Sequence, residues 1–504
     1  MLSLFASVVL AQKPILPSPQ PIANTPESER TSFTPEHHQP GAPRVLQEFI
    51  QPQEVRALPG ELDTVPVFNS NSPEVVRQSG ILLSTFPPQG KRHPQAHLNY
   101  PFRGRFDVFA HHVARADRPD DTPTIYNGIL LYNPSRSQSV TIDILQAASF
   151  LGTPDAPFVS LPTLVANDLG RVFSGPGSRV VDQVLRGQRQ THWPARMTLR
   201  PGHSEMLINL PIPVPRTAAA QGPVRGPQAL AQSQNNLPRN TATSSNARST
   251  LARLHSNGPV YIASMSMIAP RQADGTEGIP TKQDWERLLV NGSLLSPRDI
   301  APSPLRATSG SRFFYGRVAG VSRGSQWTAQ VTDGPGTDRL TIPRAGEAFS
   351  YGLSTLQRGT FGTGQIQSAP MIARYPDTAY LAHGNYGVHY NLAMPLHNPS
   401  PSPQTVTLSI QTPIKQDIAD RGLRFLRAPN ENVFFRGTVR VRYRDDQAQV
   451  QQRYFHIVQH RGQQGDPLIT VTLQPGERRL VMVDYLYPPD ATPPQVLTVQ
   501  TRRS

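Results

Sequence analysis

The chain has 504 residues, with 49 Lys and Arg against 35 Asp and Glu and a net charge of +14 at pH 7. It contains no cysteine, which excludes disulfides, thiol nucleophiles and cysteine-bound metals. Its 53 prolines and 36 glycines disfavour long helices and favour short strands joined by turns.

Arginine dominates the positive charge, since only Lys13, Lys91, Lys282 and Lys415 are lysines. Forked, permanently charged guanidinium groups suit anionic partners. An even spread of arginine over the surface accounts for the same excess, because no basic run of five or more occurs.

The first eleven residues, MLSLFASVVLA, are apolar and end in Val9-Leu10-Ala11, the pattern of a secretory signal before its cleavage site. The run is too short to span a bilayer. It lacks the usual basic opening, so a longer signal that starts upstream of Met1 is expected. Residues 12–50 are polar and proline-rich and read as a disordered spacer. No later segment approaches eighteen apolar residues, so no transmembrane segment is expected in the mature chain.

The next region, 51–270, reads as a β-sandwich module. Gly128–Tyr132 is apolar, Asn133-Pro134-Ser135 is a turn signal, and Val140, Ile142 and Ile144 alternate with polar residues. This pattern predicts a hairpin with one buried face. An irregular excursion (151–196) follows, with a short helix expected over Arg179–Leu185 and closed by Gly187. Arg186-Gly187-Gln188 precedes the turn Leu199-Arg-Pro-Gly202. The low-complexity loop 217–248 reads as disordered, and Pro259–Ala269 as a closing strand.

The middle segment, 271–370, opens with a helix capped by Thr281 and Asp284, with Trp285, Leu288 and Leu289 on one face. A hairpin is expected after it, Phe313–Val318 with Gln326–Val331.

Residues 371–504 repeat the first module. Asn398-Pro399-Ser400 stands after an apolar run and before Val406, Leu408 and Ile410. Arg461-Gly462-Gln463, Leu473-Gln-Pro-Gly476 and a closing strand (494–501) follow in the same order. Four landmarks in one order indicate a duplicated module. The fold class is therefore mainly β: two duplicated immunoglobulin-like sandwich modules with irregular insertions and few short helices. The second copy adds a long hairpin, Val433–Tyr443 with Val450–Gln459, turning at Asp445-Asp446.

The stretches LDTVPVFNSNSPEVV (62–76), GRFDVFAHHVAR (104–115), YGRVAGVSRGSQW (315–327), QIQSAPMIARYPDTAYLAHGNYG (365–387) and YPPDATPPQVLTVQT (487–501) carry a resemblance. Together they resemble an uncharacterised exported family of cyanobacteria, domain of unknown function 3370. The resemblance covers nearly all of the chain after residue 50. It implies an exported envelope protein and brings no catalytic residue or cofactor.

Motifs for chemistry are few. Gly320-Val-Ser322-Arg-Gly324 fits a nucleophile elbow, but a strand-like segment follows where the elbow needs a helix. His93/His97, His111/His112 and His456/His460 form close pairs; His456 and His460, four apart on a strand, face one side and could share a metal, but no third ligand is evident, and His383 and His389 lie near the duplicated hairpin and could converge with others. Asp120-Asp121 and Asp445-Asp446 read as turn caps, and Asp333 and Asp338 as a hairpin loop rather than a calcium site. No catalytic residue, metal ligand or cofactor is assigned.

These features point to a non-enzymatic exported protein of the periplasm, outer envelope or exterior that binds or organises envelope components such as acidic polysaccharide. A polysaccharide-active enzyme and a purely structural assembly subunit are the rivals, and a nucleic-acid partner is not expected. The expected ligand-binding residues are Arg440, Arg442 and Arg444, spaced two apart and so on one face of a strand opposite Val439, Val441 and Tyr443. Arg436 and Arg453 flank them. N-terminal sequencing of the native protein should find a mature start near Gln12 and the protein outside the cytoplasm; an intact Met1 in the cytosolic fraction would contradict this.

Overall fold

The computed structural model describes residues 47–115, 123–214, 245–296, 300–306 and 312–503. The signal run, nearly all of the spacer, Asp120-Asp121 and most of the low-complexity loop lie outside the described residues. The protein is mainly β.

Three short strands come first: β1 (Glu48–Gln51), β2 (Glu54–Arg56) and β3 (Glu61–Leu62). Then follow β4 (Pro66–Ser70), β5 (Val75–Val76), β6 (Gly80–Ser84), β7 (Phe102–Arg115), β8 (Ile125–Tyr132), β9 (Val140–Leu151) and β10 (Leu164–Ala166). Helix α1 (Pro176–Leu185) precedes β11 (Arg196–Leu199), β12 (Ser204–Ile212) and the long β13 (Ser245–Ile268). Helix α2 (Lys282–Asn291) leads to β14 (Ala319–Arg323), β15 (Gln326–Gln330), β16 (Leu340–Thr341), β17 (Ala348–Leu353), β18 (Ala369–Arg374) and β19 (Leu381–Ala382). The last group is β20 (His389–His397), β21 (Gln404–Gln411), β22 (Leu423–Leu426), β23 (Val433–Arg444), β24 (Val450–His460), β25 (Ile469–Leu473), β26 (Arg478–Leu486) and β27 (Gln495–Thr501).

The repeat is present as equivalent strand pairings. One sheet runs β11-β9-β13-β7-β4 and another β25-β21-β27-β17-β2. In each the last pair is parallel and the others antiparallel. On the opposite side of each core, β8 pairs β12 and β20 pairs β26, both antiparallel. The two sheets of each copy enclose one apolar core, with Phe106, Ile129, Ile142 and Leu254 in the first and Tyr390, Leu408, Val441 and Val483 in the second. Val140, Ile142, Val406 and Leu408 are buried, as their alternation predicts.

The expected hairpin at each Asn-Pro-Ser turn is corrected. β8 and β9 do not pair with each other; β8 joins one sheet of its sandwich and β9 the other. β20 and β21 divide in the same way. The chain therefore arches over the edge of the core. Hairpin and arch share one sequence pattern, because each strand buries a single face in both.

A fully buried asparagine holds each arch. Asn133 Nδ2 donates to the carbonyls of Gln138, Leu199 and Arg200 at 2.8, 3.0 and 3.2 Å. Asn398 Nδ2 donates to Ser402, Leu473 and Gln474 at 2.9, 3.0 and 3.2 Å. Each Oδ1 accepts from the serine two residues on, Ser135 or Ser400. Each main-chain carbonyl accepts from the glycine of the Leu-x-Pro-Gly turn, Gly202 or Gly476. Those glycines sit at φ 68° and 73°, a conformation that costs other residues a Cβ clash.

The second expected hairpin, 313–318 with 326–331, is also corrected. Residues 313–318 form no strand. β14 pairs β4 and β18 in the first sandwich, while β15 pairs β20 and β3 in the second. The middle segment thus crosses between sandwiches. So does the N-terminal segment: β1, β2 and β3 pair with β22, β17 and β15, although the sequence reading begins the first module at residue 51. The crossings are pinned at Asp63, whose carboxylate accepts from Ser325 N at 2.7 Å and Ser325 Oγ at 3.0 Å.

Helix α1 starts at Pro176, earlier than expected, with proline at a first-turn position where no N–H is needed. Its apolar residues Val180, Val181, Val184 and Leu185 join Val67, Phe109, Leu251, Tyr454 and Leu486 in a cluster drawn from both sandwiches. Helix α2 carries the predicted capping box at Thr281 and Asp284 and buries Trp285, whose Nε1 donates to Asn209 at 3.1 Å.

Asn133→Ala and Asn398→Ala each remove an amide that serves three carbonyls at a buried position. Each is expected to lower stability by about 3 kcal/mol in chemical denaturation. Asn133→Asp should cost at least as much, because a carboxylate keeps the shape and loses the donors.

Candidate functional site

The arginine stripe lies where its spacing puts it, on the face of β23 that points away from the core, with Val439 and Val441 buried behind it. Its charges are not all free. Arg440 Nε donates to Asp484 at 2.8 Å, and Arg442 stands 3.5 Å from the other oxygen of that carboxylate. Asp484 is fully buried on β26; burial pulls its carboxyl up, but His389 and Arg440 beside it hold it below the usual range. Arg444 is exposed and donates to the carbonyl of Ala448 at 3.0 Å. Arg436 is buried against Phe158, and Arg453 pairs with Asp168 at 3.1 Å. The stripe faces the first sandwich at one end and solvent at the other.

The other candidates from sequence take local roles. Ser322 is buried on β14, and β15 follows it in place of a helix. His97 bonds Ser84 Oγ at 2.8 Å, His111 bonds Ser249 Oγ at 2.7 Å, and His112 bonds Ser70 Oγ at 2.9 Å. Burial lowers these imidazoles to about 4, about 4 and about 3, and His456, fully buried, to about 4. Among the described residues no group of three His, Asp or Glu stands close enough to hold a metal ion. Asp445 caps its turn through Gln447 N at 3.0 Å and Gln449 N at 2.9 Å. Asp333 accepts from Thr341 N at 2.7 Å, and Asp338 pairs with Arg478 at 2.6 Å.

A surface crevice escaped the sequence reading. Leu305, Phe313, Tyr315, Gln357, Tyr380 and His383 line a shallow crevice that is open to solvent. Its rings form a compact cluster: Phe313 meets Tyr315 edge to face at 5.0 Å, and Tyr315 lies 5.1 Å from His383. Cations surround them. Arg358 sits 5.0 Å over Phe313, Lys415 Nζ 5.1 Å over Tyr315, and Arg374 3.9 Å over Tyr380. Lys415 also donates to Tyr315 Oη at 3.1 Å, and that hydroxyl donates to the carbonyl of Gln357. Burial raises the Tyr315 phenol far above neutrality, so it remains a donor. Aromatic surface beside cations suits a flat, partly apolar molecule that carries negative charge. The single-residue signal was weak, since these residues come from four separate segments.

The family model described as "Protein of unknown function (DUF3370)" matches residues 53–501. No curated protein matches the chain. Among the described residues no helix is long and apolar enough to cross a membrane.

One buried carboxylate links the two sandwiches. Asp490 accepts from Ser178 N at 2.9 Å and from the N–H of Gly177, so it caps the first turn of α1 from the second sandwich. Burial raises its pKa from 3.8 to about 6 despite the nearby Arg436. The folded state therefore prefers the protonated acid, and this contribution to stability is present below pH 4 and is lost as pH rises through 6. The buried histidines act in the opposite sense, since their lowered values favour folding at higher pH. The diagnostic is thus a difference: Asp490→Asn should gain stability relative to wild type between pH 4 and pH 7, by an amount on the order of 3 kcal/mol. A constant difference across that range in denaturation curves would contradict it.

Proposed function

The chain belongs to the DUF3370 family, and we propose that this member is an exported cyanobacterial envelope protein that binds acidic polysaccharide without altering it. One observation carries the reading: the solvent-open crevice is lined by the rings of Phe313, Tyr315 and Tyr380, and over these rings stand the cations Arg358, Lys415 and Arg374. A pyranose ring offers C–H faces to aromatic surface, and a uronate carboxylate offers a partner to guanidinium and ammonium groups. The apolar N-terminal run, the proline-rich stretch behind it and the net charge of +14 support the same reading. The exposed end of the β23 stripe, Arg442 and Arg444, is a second place for such a chain to rest.

Wild-type protein should be retained on immobilised polyuronate but not on neutral dextran at about 0.05 M salt, and should be released near 0.5 M. Tyr380→Ala combined with Arg358→Gln should weaken retention about tenfold. Arg442→Gln with Arg444→Gln reports on the stripe separately, and leaves the Arg440–Asp484 pair in place. Equal retention of wild type on polyuronate and dextran would remove the acidic reading. Unchanged retention in the crevice variant, with loss in the stripe variant, would move the site to β23.

A further inference from the structure

The two copies end their equivalent sheets on equivalent edge strands, β11 in the first and β25 in the second. Counted from the Leu-x-Pro-Gly turn that follows each, Thr198 on β11 corresponds to Thr472 on β25, and the two stand opposite Thr141 and Thr405 on the next strand. Bonded and non-bonded pairs alternate along an antiparallel ladder. Ile144 N donates to the Ala195 carbonyl at 2.8 Å, so the pair Ile142–Met197 is bonded and the pair Thr141–Thr198 is not. Thr141 N accordingly turns the other way and donates to Asn257 Oδ1 at 2.8 Å. The N–H and C=O of Thr198 therefore point outward, off the edge of the sheet.

In the second copy the same two groups are covered. Thr472 N donates to Asp446 Oδ1 at 2.9 Å, Arg479 Nη2 donates to the Thr472 carbonyl at 3.1 Å, and Arg479 Nη1 meets the Asp446 carboxylate at 2.5 Å. Asp446 comes from the tip of the β23–β24 hairpin. The first copy has neither device. β10 and α1 stand in the place of that hairpin, and the residue equivalent to Arg479 is Glu205, which pairs with Lys282 at 3.3 Å. Among the described residues the outward N–H and C=O of Thr198 meet no partner. Thr198 is exposed, as are Arg196 before it and Arg200 after it. An uncovered edge of this kind is a template for a further strand.

We propose that β11 is a strand-addition edge of the first sandwich and takes an extended, acidic segment of a partner protein. The main chain of that segment accepts from Thr198 N–H and donates to its carbonyl, as in other cases of strand addition. Two observations set its chemistry. In the second copy the acceptor on the equivalent N–H is a carboxylate, that of Asp446. On β11 the bonding position lies between two arginines, of which Arg196 also meets Asp143 at 2.6 Å. A second copy of this chain suits the edge poorly, because antiparallel pairing centred on Thr198 sets Arg196 opposite Arg200 on both sides, and like charges directly opposite are unfavourable. The site uses residues separate from the aromatic crevice, so it stands whether or not the polysaccharide reading does.

Fluorescence polarisation of labelled hexapeptides with the full chain, at about 0.15 M salt, tests this. A peptide of alternating threonine and glutamate should bind saturably at one site per chain, and its threonine–lysine counterpart at least tenfold more weakly. Thr198→Pro removes the outward N–H and spares the bonded pairs with β9, since proline is accepted on an edge strand where the N–H faces out. It should weaken binding of the acidic peptide at least tenfold with the circular dichroism unchanged, whereas Thr198→Val keeps the N–H and should keep the affinity. If Thr198→Pro does not fold, Arg200→Gln should weaken binding several-fold, and Arg421→Gln, which removes an exposed charge from the second sandwich, should not. Absence of saturable binding by the acidic peptide would overturn the proposal, as would equal affinity for the two peptides. So would equal affinity in wild type and a folded Thr198→Pro variant, or equal losses in Arg200→Gln and Arg421→Gln, which would mark association through net charge alone.

Discussion

Twice in this chain one asparagine amide, buried from solvent, decides where the backbone goes. A strand that leaves one sheet and enters the opposite one must expose its turn carbonyls to the edge of an apolar core. Asn133 and Asn398 each offer two N–H donors and share them among three such carbonyls. No hydroxyl or apolar side chain of similar size carries enough donors to do this. With the arch held, the Leu-x-Pro-Gly turn is fixed beside it, because the asparagine backbone bonds the same turn. The registers of the flanking strands follow, and with them the faces that become buried.

The sandwiches are joined by several unlike devices. Backbone pairing does part of it, since β3 and β4, and again β14 and β15, place consecutive residues in different sandwiches. Apolar packing does another part, through α1 and the cluster around Phe109, Leu251 and Leu486. Buried charge does the rest, through Asp490 at the start of α1 and the Arg440–Asp484 pair. Buried ionic contacts contribute less to stability than their number suggests, because desolvation offsets attraction. Their geometry is directional, and in a seam otherwise made of smooth sheet faces it sets one relative placement.

The positive charge of the protein has two fates. Part is consumed inside, where Arg440, Arg105 and Arg186 neutralise Asp484, Asp107 and Asp182. Part lies over the rings of the aromatic crevice and along the outer end of β23. The net charge reports only the sum and does not distinguish a guanidinium committed to a buried carboxylate from one that can meet a ligand. The histidine pairs illustrate the same limit. Three of the imidazoles close in sequence hydrogen-bond buried serines, and none converges on a metal-sized space among the described residues.

Sequence alone determined the properties that depend on neighbours a few residues apart. Alternation placed Val140, Ile142, Val406 and Leu408 in the core, the capping box of α2 and the turn at Asp445 were legible, and the duplicated landmarks marked strands that prove equivalent. These rest on strand period, cap chemistry and positive-φ glycines, all of which are local. The tertiary structure decided what those strands pair with. Whether β8 and β9 form a hairpin or an arch depends on Leu199 and Arg200, some seventy residues away, because their carbonyls complete the asparagine's bonds. The sequence placed Arg440 and Arg442 on one face, but only the approach of Asp484 from β26 showed how they are spent. The rings of Phe313, Tyr315 and Tyr380 were not singled out as binding groups, and His383 and His389 only as imidazoles that could converge with others. Their significance lies in distances between side chains from remote strands, which local periodicity does not encode.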